Sequence, residues 1–339
     1  MPICGINAQL LTAEAGYRRA GIHVYLFETL RNLPSDIDLQ FKVFTSSPLI
    51  EEISDPIKWF KTNRYTAHPI GRILWEQLVW SFRARREECQ LIHGTAFSLP
   101  LLSRLPGIVT VFDLSFVYYP DVYPLWRKTY LNFITRRSCA KAQHIIVISE
   151  SGKEDLIKFF QVEPNRISVV YPGLNPKFKR PPPADVLAYR SKKDLPESFL
   201  LHVGTLQPRK NLPFLIRAFH QAKLENVSLI FAGGKGWYYE EIFNLVKTLQ
   251  LEDRVQFMGY VPDEDLPLVY AAAELLVFPS VYEGFGMPIL EAMGCGTPVL
   301  ASNSSAMPEA VGNAGFLFDP EDLDDLVNQL KSLLSNPDQ

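Results

Sequence analysis

Pro279-Ser280-Val281-Tyr282-Glu283-Gly284-Phe285-Gly286-Met287-Pro288-Ile289-Leu290-Glu291-Ala292-Met293-Gly294 decides the reading of this chain. The run before it, Glu274-Leu275-Leu276-Val277-Phe278, reads as a strand. Pro288 reads as the first residue of a helix, where its missing N–H costs nothing. Between strand and helix, Gly284 and Gly286 let bare backbone approach a ligand. The unpaired N–H groups at such a helix end favour an anion such as a phosphate. Glu283 stands in the loop, and Glu291 lies one turn into the helix. Phosphate donors with a carboxylate on each side suit a nucleotide sugar, one acid taking sugar hydroxyls and the other ribose hydroxyls. Alone, a Glu in a first helical turn often only complements the macrodipole. The two acids, two glycines and one proline together favour a site.

Outward from this stretch, strands and helices alternate. In the first half, Ile3-Cys4-Gly5-Ile6-Asn7 and residues 39–44, 91–93, 108–112 and 145–148 read as strands. A helix is expected from Gly21 to Leu33, and another after Ser149, which can cap it, with Glu150 and Glu154 near its start. Proline crowds residues 171–183 and breaks the pattern. A second alternation follows, with strands at 199–203, 228–232, 255–259 and 275–278. The expected fold class is α/β, two doubly wound parallel-sheet domains facing a cleft. The expected boundaries are 1–172 for the first domain, 173–195 for the linker and 196–339 for the second domain.

Composition narrows the function classes. The 339 residues exceed one usual core, and 47% hydrophobic with 21% charged residues is an ordinary globular balance. No uncharged apolar run reaches about 18 residues, so no spanning helix is expected. The start lacks a basic region before an apolar stretch, so no signal peptide is expected. Cys4, Cys89, Cys139 and Cys295 have no metal-type spacing and read as reduced thiols of a cytosolic protein. Asp36-Ile37-Asp38 follows Pro34-Ser35 and reads as turn chemistry, leaving a metal-independent site without a cofactor.

The net charge of −3 hides an asymmetry: residues 1–180 carry 23 Lys and Arg against 16 Asp and Glu. The first half is therefore expected to meet something anionic. A membrane face or a lipid diphosphate fits better than nucleic acid, for which no binding motif is present. Residues 71–88 and 126–141 mix aromatic and aliphatic side chains with arginine. They read either as helices on an anionic membrane or as core-facing helices with charged outer faces.

Several further residues are candidates. Arg209 and Lys210 follow the first strand of the second half, where Arg209 can grip phosphate oxygens in pairs and Lys210 adds a compact charge. The alternative for such a pair is a solvated surface. Gly233 lies in a glycine-rich turn after the next strand, and Tyr260 and Val261 follow the one after. Residues 16–25 lead into the first helix, with Gly21 the favoured site residue and Arg18 and Arg19 readable either way. Asp113 ends a strand and either faces an acceptor or caps a turn. His93 is expected to be hydrogen-bonded rather than catalytic.

The stretch from Pro279 resembles the signature of the retaining glycosyltransferases of family 4, which have the GT-B fold: Glu, seven residues, Glu. The similarity continues through Gly296-Thr297-Pro298-Val299 and Pro308-Glu309-Ala310-Val311-Gly312 and covers nearly all of the chain. It implies that Glu283 and Asp113 are catalytic. It further implies a donor diphosphate held by Arg209, Lys210, Gly21, Gly284, Phe285, Gly286 and Met287. Glu291, Gly233, Tyr260, Val261 and Leu290 would meet ribose and base. Two departures stand out: Thr205 where many members carry Arg, and Phe112 where relatives carry a His that contacts the transferred sugar.

The implied activity is transfer of a hexose, mannose or glucose, from a nucleoside-diphosphate sugar to a saccharide or lipid-linked saccharide acceptor. Retention of configuration, no metal, and a cytoplasmic place at the inner membrane face in bacterial surface polysaccharide synthesis go with the resemblance. A nucleotide-sugar epimerase of the same fold and a non-catalytic nucleotide or lipid binder are the rival readings, the last favoured by Phe112. The resemblance also implies a C-terminal crossover helix beyond Leu334, missing from these residues.

Overall fold

The computed structural model describes residues 1–11, 21–34, 36–47 and 57–335. The chain divides into two compact units, Met1–Tyr171 and Pro172–Gln339.

Unit 1 carries a seven-stranded sheet of β1 (Ile3–Asn7), β2 (Gln40–Thr45), β3 (Ile57–Lys61), β4 (Leu91–Gly94), β5 (Gly107–Val111), β6 (His144–Val147) and β7 (Ile167–Val169). The spatial order is β3-β2-β1-β4-β5-β6-β7, with every pairing parallel. Its helices are α1 (Ile22–Arg31), α2 (Pro69–Leu74), α3 (Trp80–Arg86), α4 (Ser115–Tyr118), α5 (Leu125–Lys141) and α6 (Glu150–Phe160). A π-helical turn, Trp75–Val79, joins α2 to α3. Ser149 caps α6 by accepting from the Gly152 N–H at 3.0 Å. Two apolar clusters, one around Ile6, Leu26 and Val43 and one around Trp80, Ile92 and Val109, form its core. Strands covered this way are apolar throughout rather than alternating.

Unit 2 carries a six-stranded parallel sheet of β8 (Phe199–Val203), β9 (Ser228–Ala232), β10 (Val255–Gly259), β11 (Leu275–Phe278), β12 (Val299–Ser302) and β13 (Phe316–Phe318), ordered β10-β9-β8-β11-β12-β13. Its helices are α7 (Pro183–Lys193), α8 (Leu212–Ala222), α9 (Glu240–Thr248), α10 (Leu266–Ala272), α11 (Met287–Gly294), α12 (Met307–Val311) and α13 (Leu323–Ser335).

Four strands, β3, β7, β12 and β13, were not expected from the sequence. β3 reads Ile-Lys-Trp-Phe-Lys, too charged for a buried-strand signal, and β7 and β13 hold three residues each. Within residues 173–195, read as linker, the chain forms α7. Pro183 sits in its first turn, where proline is tolerated, and the helix packs on α10. Arg190 fastens it by donating to the Pro196 carbonyl at 2.6 Å, and Tyr189 is buried beneath it.

Candidate active site

In open α/β sheets, ligands bind at the strand ends where the spatial order reverses. In unit 2 that point lies between β8 and β11. The loop after β8 carries Arg209 and Lys210; the loop after β11 carries Glu283. Backbone joins the loops, the Val281 N–H donating to the Arg209 carbonyl at 2.9 Å. Side chains complete the join. Arg209 Nη1 donates to Glu283 Oε2 at 2.5 Å and to the Tyr282 carbonyl at 3.0 Å, and Lys210 Nζ donates to Glu283 Oε1 at 2.5 Å. The Glu283 and Lys210 side chains are only 10% and 9% exposed, so the contact is nearly water-free. Ser305 Oγ donates to the Glu283 carbonyl at 2.8 Å and fixes the loop from the far side.

The electrostatics follow from these neighbours. Burial alone would raise the Glu283 carboxyl, but Arg209 and Lys210 outweigh it and hold the pKa down to about 2. Lys210 is lowered, burial and Arg209 outweighing the attraction of Glu283. Near neutral pH Glu283 is therefore a carboxylate, held between the Arg209 guanidinium and Lys210.

At the other end of the quoted stretch, Glu291 accepts from the Tyr270 hydroxyl of α10 at 2.7 Å. Burial raises its pKa to about 7, against the opposing effects of Tyr270 and Lys177. The two acids thus have different partners on different elements. Glu283 is an anchored anion, and Glu291 is poised to titrate. Between them, Gly286 opens α11 at φ 106°, a conformation that L side chains rarely adopt. Phe285 is buried, while Gly284, Met287 and Leu290 are partly exposed beside the helix start.

Along the same sheet edge, the turns after β8, β9 and β10 are tied together. The Gly233 N–H donates to the Gly259 carbonyl at 2.8 Å, and a Cβ on Gly233 would lie 2.0 Å from the Gly204 carbonyl oxygen. Only glycine permits that approach. Tyr260 is 48% exposed and Val261 is buried, and both border a cavity of about 290 Å³ that Tyr189, Lys193 and Phe257 also line.

Unit 1 holds the remaining expected residues. Gly21 caps α1 at φ 60°, and among the described residues no atom lies within 4 Å of where its Cβ would stand. Arg18 and Arg19 lie outside the described residues. Asp113 Oδ1 accepts from both the Ser115 N–H at 2.9 Å and the Ser115 hydroxyl at 2.7 Å, so that oxygen caps the turn before α4. Phe112 is buried edge-on to Tyr25 at 5.0 Å and to Phe97 at 6.0 Å. His93 Nε2 is bonded to Thr110 Oγ1 at 2.8 Å, and burial lowers its pKa to about 4.

Sequence reasoning missed Tyr270, which donates to the Glu291 carboxylate, Ser305, which donates to the Glu283 backbone carbonyl, and His202, buried in β8 beside Lys210; only the folded chain brings them there. It also missed Glu76, buried in the π-helical turn and bonded to Asn7 Nδ2 at 3.1 Å. The π-turn itself has no sequence signal, although such turns often mark functional sites. Among the described residues, no group of His, Cys, Asp and Glu is placed to hold a metal, and no helix is long and apolar enough to cross a membrane.

Comparison with known proteins gives the class to which this fold and site belong. The family description "Glycosyltransferase Family 4" matches residues 5–178, and "Glycosyl transferases group 1" matches residues 187–339. The chain belongs to this family of glycosyltransferases. The O-antigen chain mannosyltransferase B of Escherichia coli is 37% identical over 250 residues, covering 72% of this chain and 65% of the relative. The chain thus spans less than two thirds of that relative's length. Sucrose-phosphate synthase from Thermosynechococcus elongatus superposes with a TM-score of 0.76 at 24% identity, over 100% of this chain and 91% of that one. Anabaena Alr3699/HepE, in complex with UDP and glucose, superposes with a TM-score of 0.75 at 20% identity, over 100% and 91%. These likenesses establish the GT-B fold.

Proposed function

We propose that this protein is a retaining glycosyltransferase that moves a hexose, mannose before glucose, from a nucleoside-diphosphate sugar to a hydroxyl of a saccharide carried on a lipid. The observation that carries this reading is the clasp of Glu283 by Arg209 and Lys210 at the β8/β11 switch point. Two cations held ready by one carboxylate suit a ligand that brings its own negative charge. The similarity to an O-antigen mannosyltransferase supports mannose and a surface-polysaccharide acceptor. The UDP and glucose in the complex of Alr3699/HepE support a nucleotide-sugar donor.

The chemistry is transfer on one face of the sugar. The bond from the anomeric carbon to the diphosphate oxygen breaks, and its electron pair leaves with the diphosphate. The acceptor oxygen bonds to the same face of that carbon, and its proton passes to the leaving phosphate oxygen. Arg209, Lys210 and the backbone amides near Gly286 at the start of α11 oppose the charge developing on the leaving group. Glu283, released from part of its clasp by the incoming diphosphate, orients sugar hydroxyls. Glu291 accepts from ribose hydroxyls, with Gly233, Tyr260, Val261 and Leu290 along the nucleoside. Gly21 approaches the diphosphate, and Asp113 faces the acceptor through Oδ2, its Oδ1 being engaged by Ser115. No metal or cofactor enters the scheme.

A membrane partner is part of the proposal. Ile70, Leu74, Leu78 and Phe82 recur at every fourth residue through α2, the π-turn and α3, and are 71%, 52%, 65% and 67% exposed. Trp75, Trp80 and Ala84 take the buried face instead. On α5, Leu125, Trp126 and Phe133 are exposed among Arg127, Arg136 and Arg137, and Arg85 of α3 lies near enough to affect Lys141 of α5. An apolar stripe edged by arginine suits an anionic cytoplasmic leaflet.

The test is incubation with a panel of nucleoside-diphosphate sugars and lipid-linked saccharides, reading product anomer by NMR. An α-linked product from an α-linked donor supports the reading. An epimer formed from donor alone, with no transfer, would replace it by the epimerase.

A further inference from the structure

We propose that His202 is a positioning residue for Lys210: its ring Nε2 accepts a Lys210 N–H when the bound sugar draws Glu283 away. The inference rests on the donor-site reading above and deepens it.

His202 lies in β8 and is fully buried. Its Nδ1 faces the Val277 carbonyl at 3.2 Å. A carbonyl only accepts, so Nδ1 carries the hydrogen and Nε2 presents a lone pair. That Nε2 has no partner among the described residues. Leaving a buried acceptor bare is costly, and natural structures rarely do so without a reason.

The surroundings supply one. The His202 ring stacks on Phe278 with centroids 5.7 Å apart, and Lys210 Nζ lies 4.9 Å from the centre of the Phe278 ring. A Cβ built on Gly204 would stand 3.3 Å from His202 Nε2, 3.3 Å from Lys210 Cε and 3.5 Å from Lys210 Nζ. The lone pair and the ammonium therefore flank one point above Gly204. Burial, with the Lys210 charge second, keeps the imidazole neutral, its pKa lowered to about 3, so Nε2 remains an acceptor at neutral pH.

An ammonium has three hydrogens to place. In the free protein Lys210 gives one to Glu283 Oε1. Once Glu283 turns to sugar hydroxyls, Lys210 needs a replacement acceptor besides the diphosphate, or it drifts from the leaving group. Nε2 offers it within the sheet, where it cannot move. A Phe at this position would keep the stacking and lose the acceptor, so packing and positioning can be separated.

The experiment compares His202→Phe and His202→Gln with wild type. It reads donor KM, kcat, affinity for the tightest of a panel of nucleoside diphosphates, and melting temperature. His202→Phe is expected to fold and to lose about 10- to 100-fold in kcat/KM, the effect of one hydrogen bond to a charged group. His202→Gln, whose side-chain carbonyl can reach the Nε2 position, recovers most of the loss. Should the Phe variant fail to fold, His202→Asn keeps an N–H for Val277 and still removes Nε2. In a Lys210→Met background the His202 substitutions are expected to change nothing further, because the two residues act as one. Wild-type kinetics in His202→Phe, or additive losses with Lys210→Met, would overturn the inference while leaving the donor site intact. A wild-type protein that binds no nucleoside diphosphate and transfers no sugar would sink the donor-site reading and this inference with it.

Discussion

Each unit buries a carboxylate beside the reversal of its sheet, with opposite results. Between β8 and β11, Glu283 meets Arg209 and Lys210 at 2.5 Å, and its pKa falls to about 2. Beside the β1/β4 reversal of unit 1, Glu76 meets an amide, Asn7 Nδ2 at 3.1 Å, with Arg72 no nearer than 4.0 Å. Burial dominates there, and the Glu76 pKa rises. The architecture is repeated, but the loops decide the charge. A buried ion pair is seldom more stable than an apolar substitute, so a clasp of three charges is weak evidence for stability and better evidence for a ligand. At its own strand ends unit 1 packs Phe112 against Phe97 and Tyr25 instead.

The contrast breaks most visibly at Glu283. Glu283→Ala is expected to cut transfer by about 1,000-fold. It should also lower stability by about 3–5 kcal/mol, because buried Lys210 and half-buried Arg209 lose their shared partner. A nucleoside diphosphate should restore part of the melting temperature in that variant, by binding only the native state. Glu76→Gln, at the counterpart bonded to an amide rather than to cations, should shift the melting point far less. Equal losses in the two variants would erase the distinction. The sign with pH follows: the folded Glu283 pKa lies below its ordinary 4.5, so its stabilisation is present above about 4.5 and is lost as pH falls toward about 2.

Arg209→Lys comes next. The charge survives but the Nη1 that bonds both Glu283 and the Tyr282 carbonyl, and the guanidinium's remaining donors, do not, and nucleoside diphosphate affinity should fall about 10-fold by calorimetry. An unchanged affinity would reduce Arg209 to a surface charge.

Vesicle binding sharpens the other half of the comparison. Leu78→Glu with Phe82→Glu should weaken co-sedimentation with anionic vesicles about 10-fold and leave the melting temperature within a few degrees, since both side chains are exposed. Undiminished sedimentation would separate the stripe from any membrane.

Glu291 gives a smaller effect of opposite sign to Glu283. Its folded pKa of about 7 lies above 4.5, so its contribution to stability is full below about 4.5 and is lost as pH rises through 7. Donor affinity should strengthen about threefold between about pH 6 and pH 8, as the ionised carboxylate accepts ribose hydroxyls. Glu291→Gln should flatten both profiles. Phe112→His, which places a polar ring against Tyr25 and Phe97, should cost about 1 kcal/mol in a urea melt.

Much of this was legible before any coordinates. The strands Phe199–Val203, Ser228–Ala232, Val255–Gly259 and Leu275–Phe278 stood at the residues read from apolar runs. Gly286 and Pro288 announced a turn opening a helix, because φ and a missing N–H are properties of single residues. The helix Pro183–Lys193 was not legible, since proline breaks a helix interior yet sits comfortably in its first turn.

Sequence alone determined the layered α/β plan and the residue types gathered around two glutamates, because periodicity and backbone preference act over a few neighbours. Only the tertiary structure decided that Glu283 reaches back more than 70 positions to Arg209 and Lys210, while Glu291 turns to Tyr270. The physical reason is that a pKa is set by burial and by charges a few ångströms away, and those distances exist only once the sheet has brought its strand ends together.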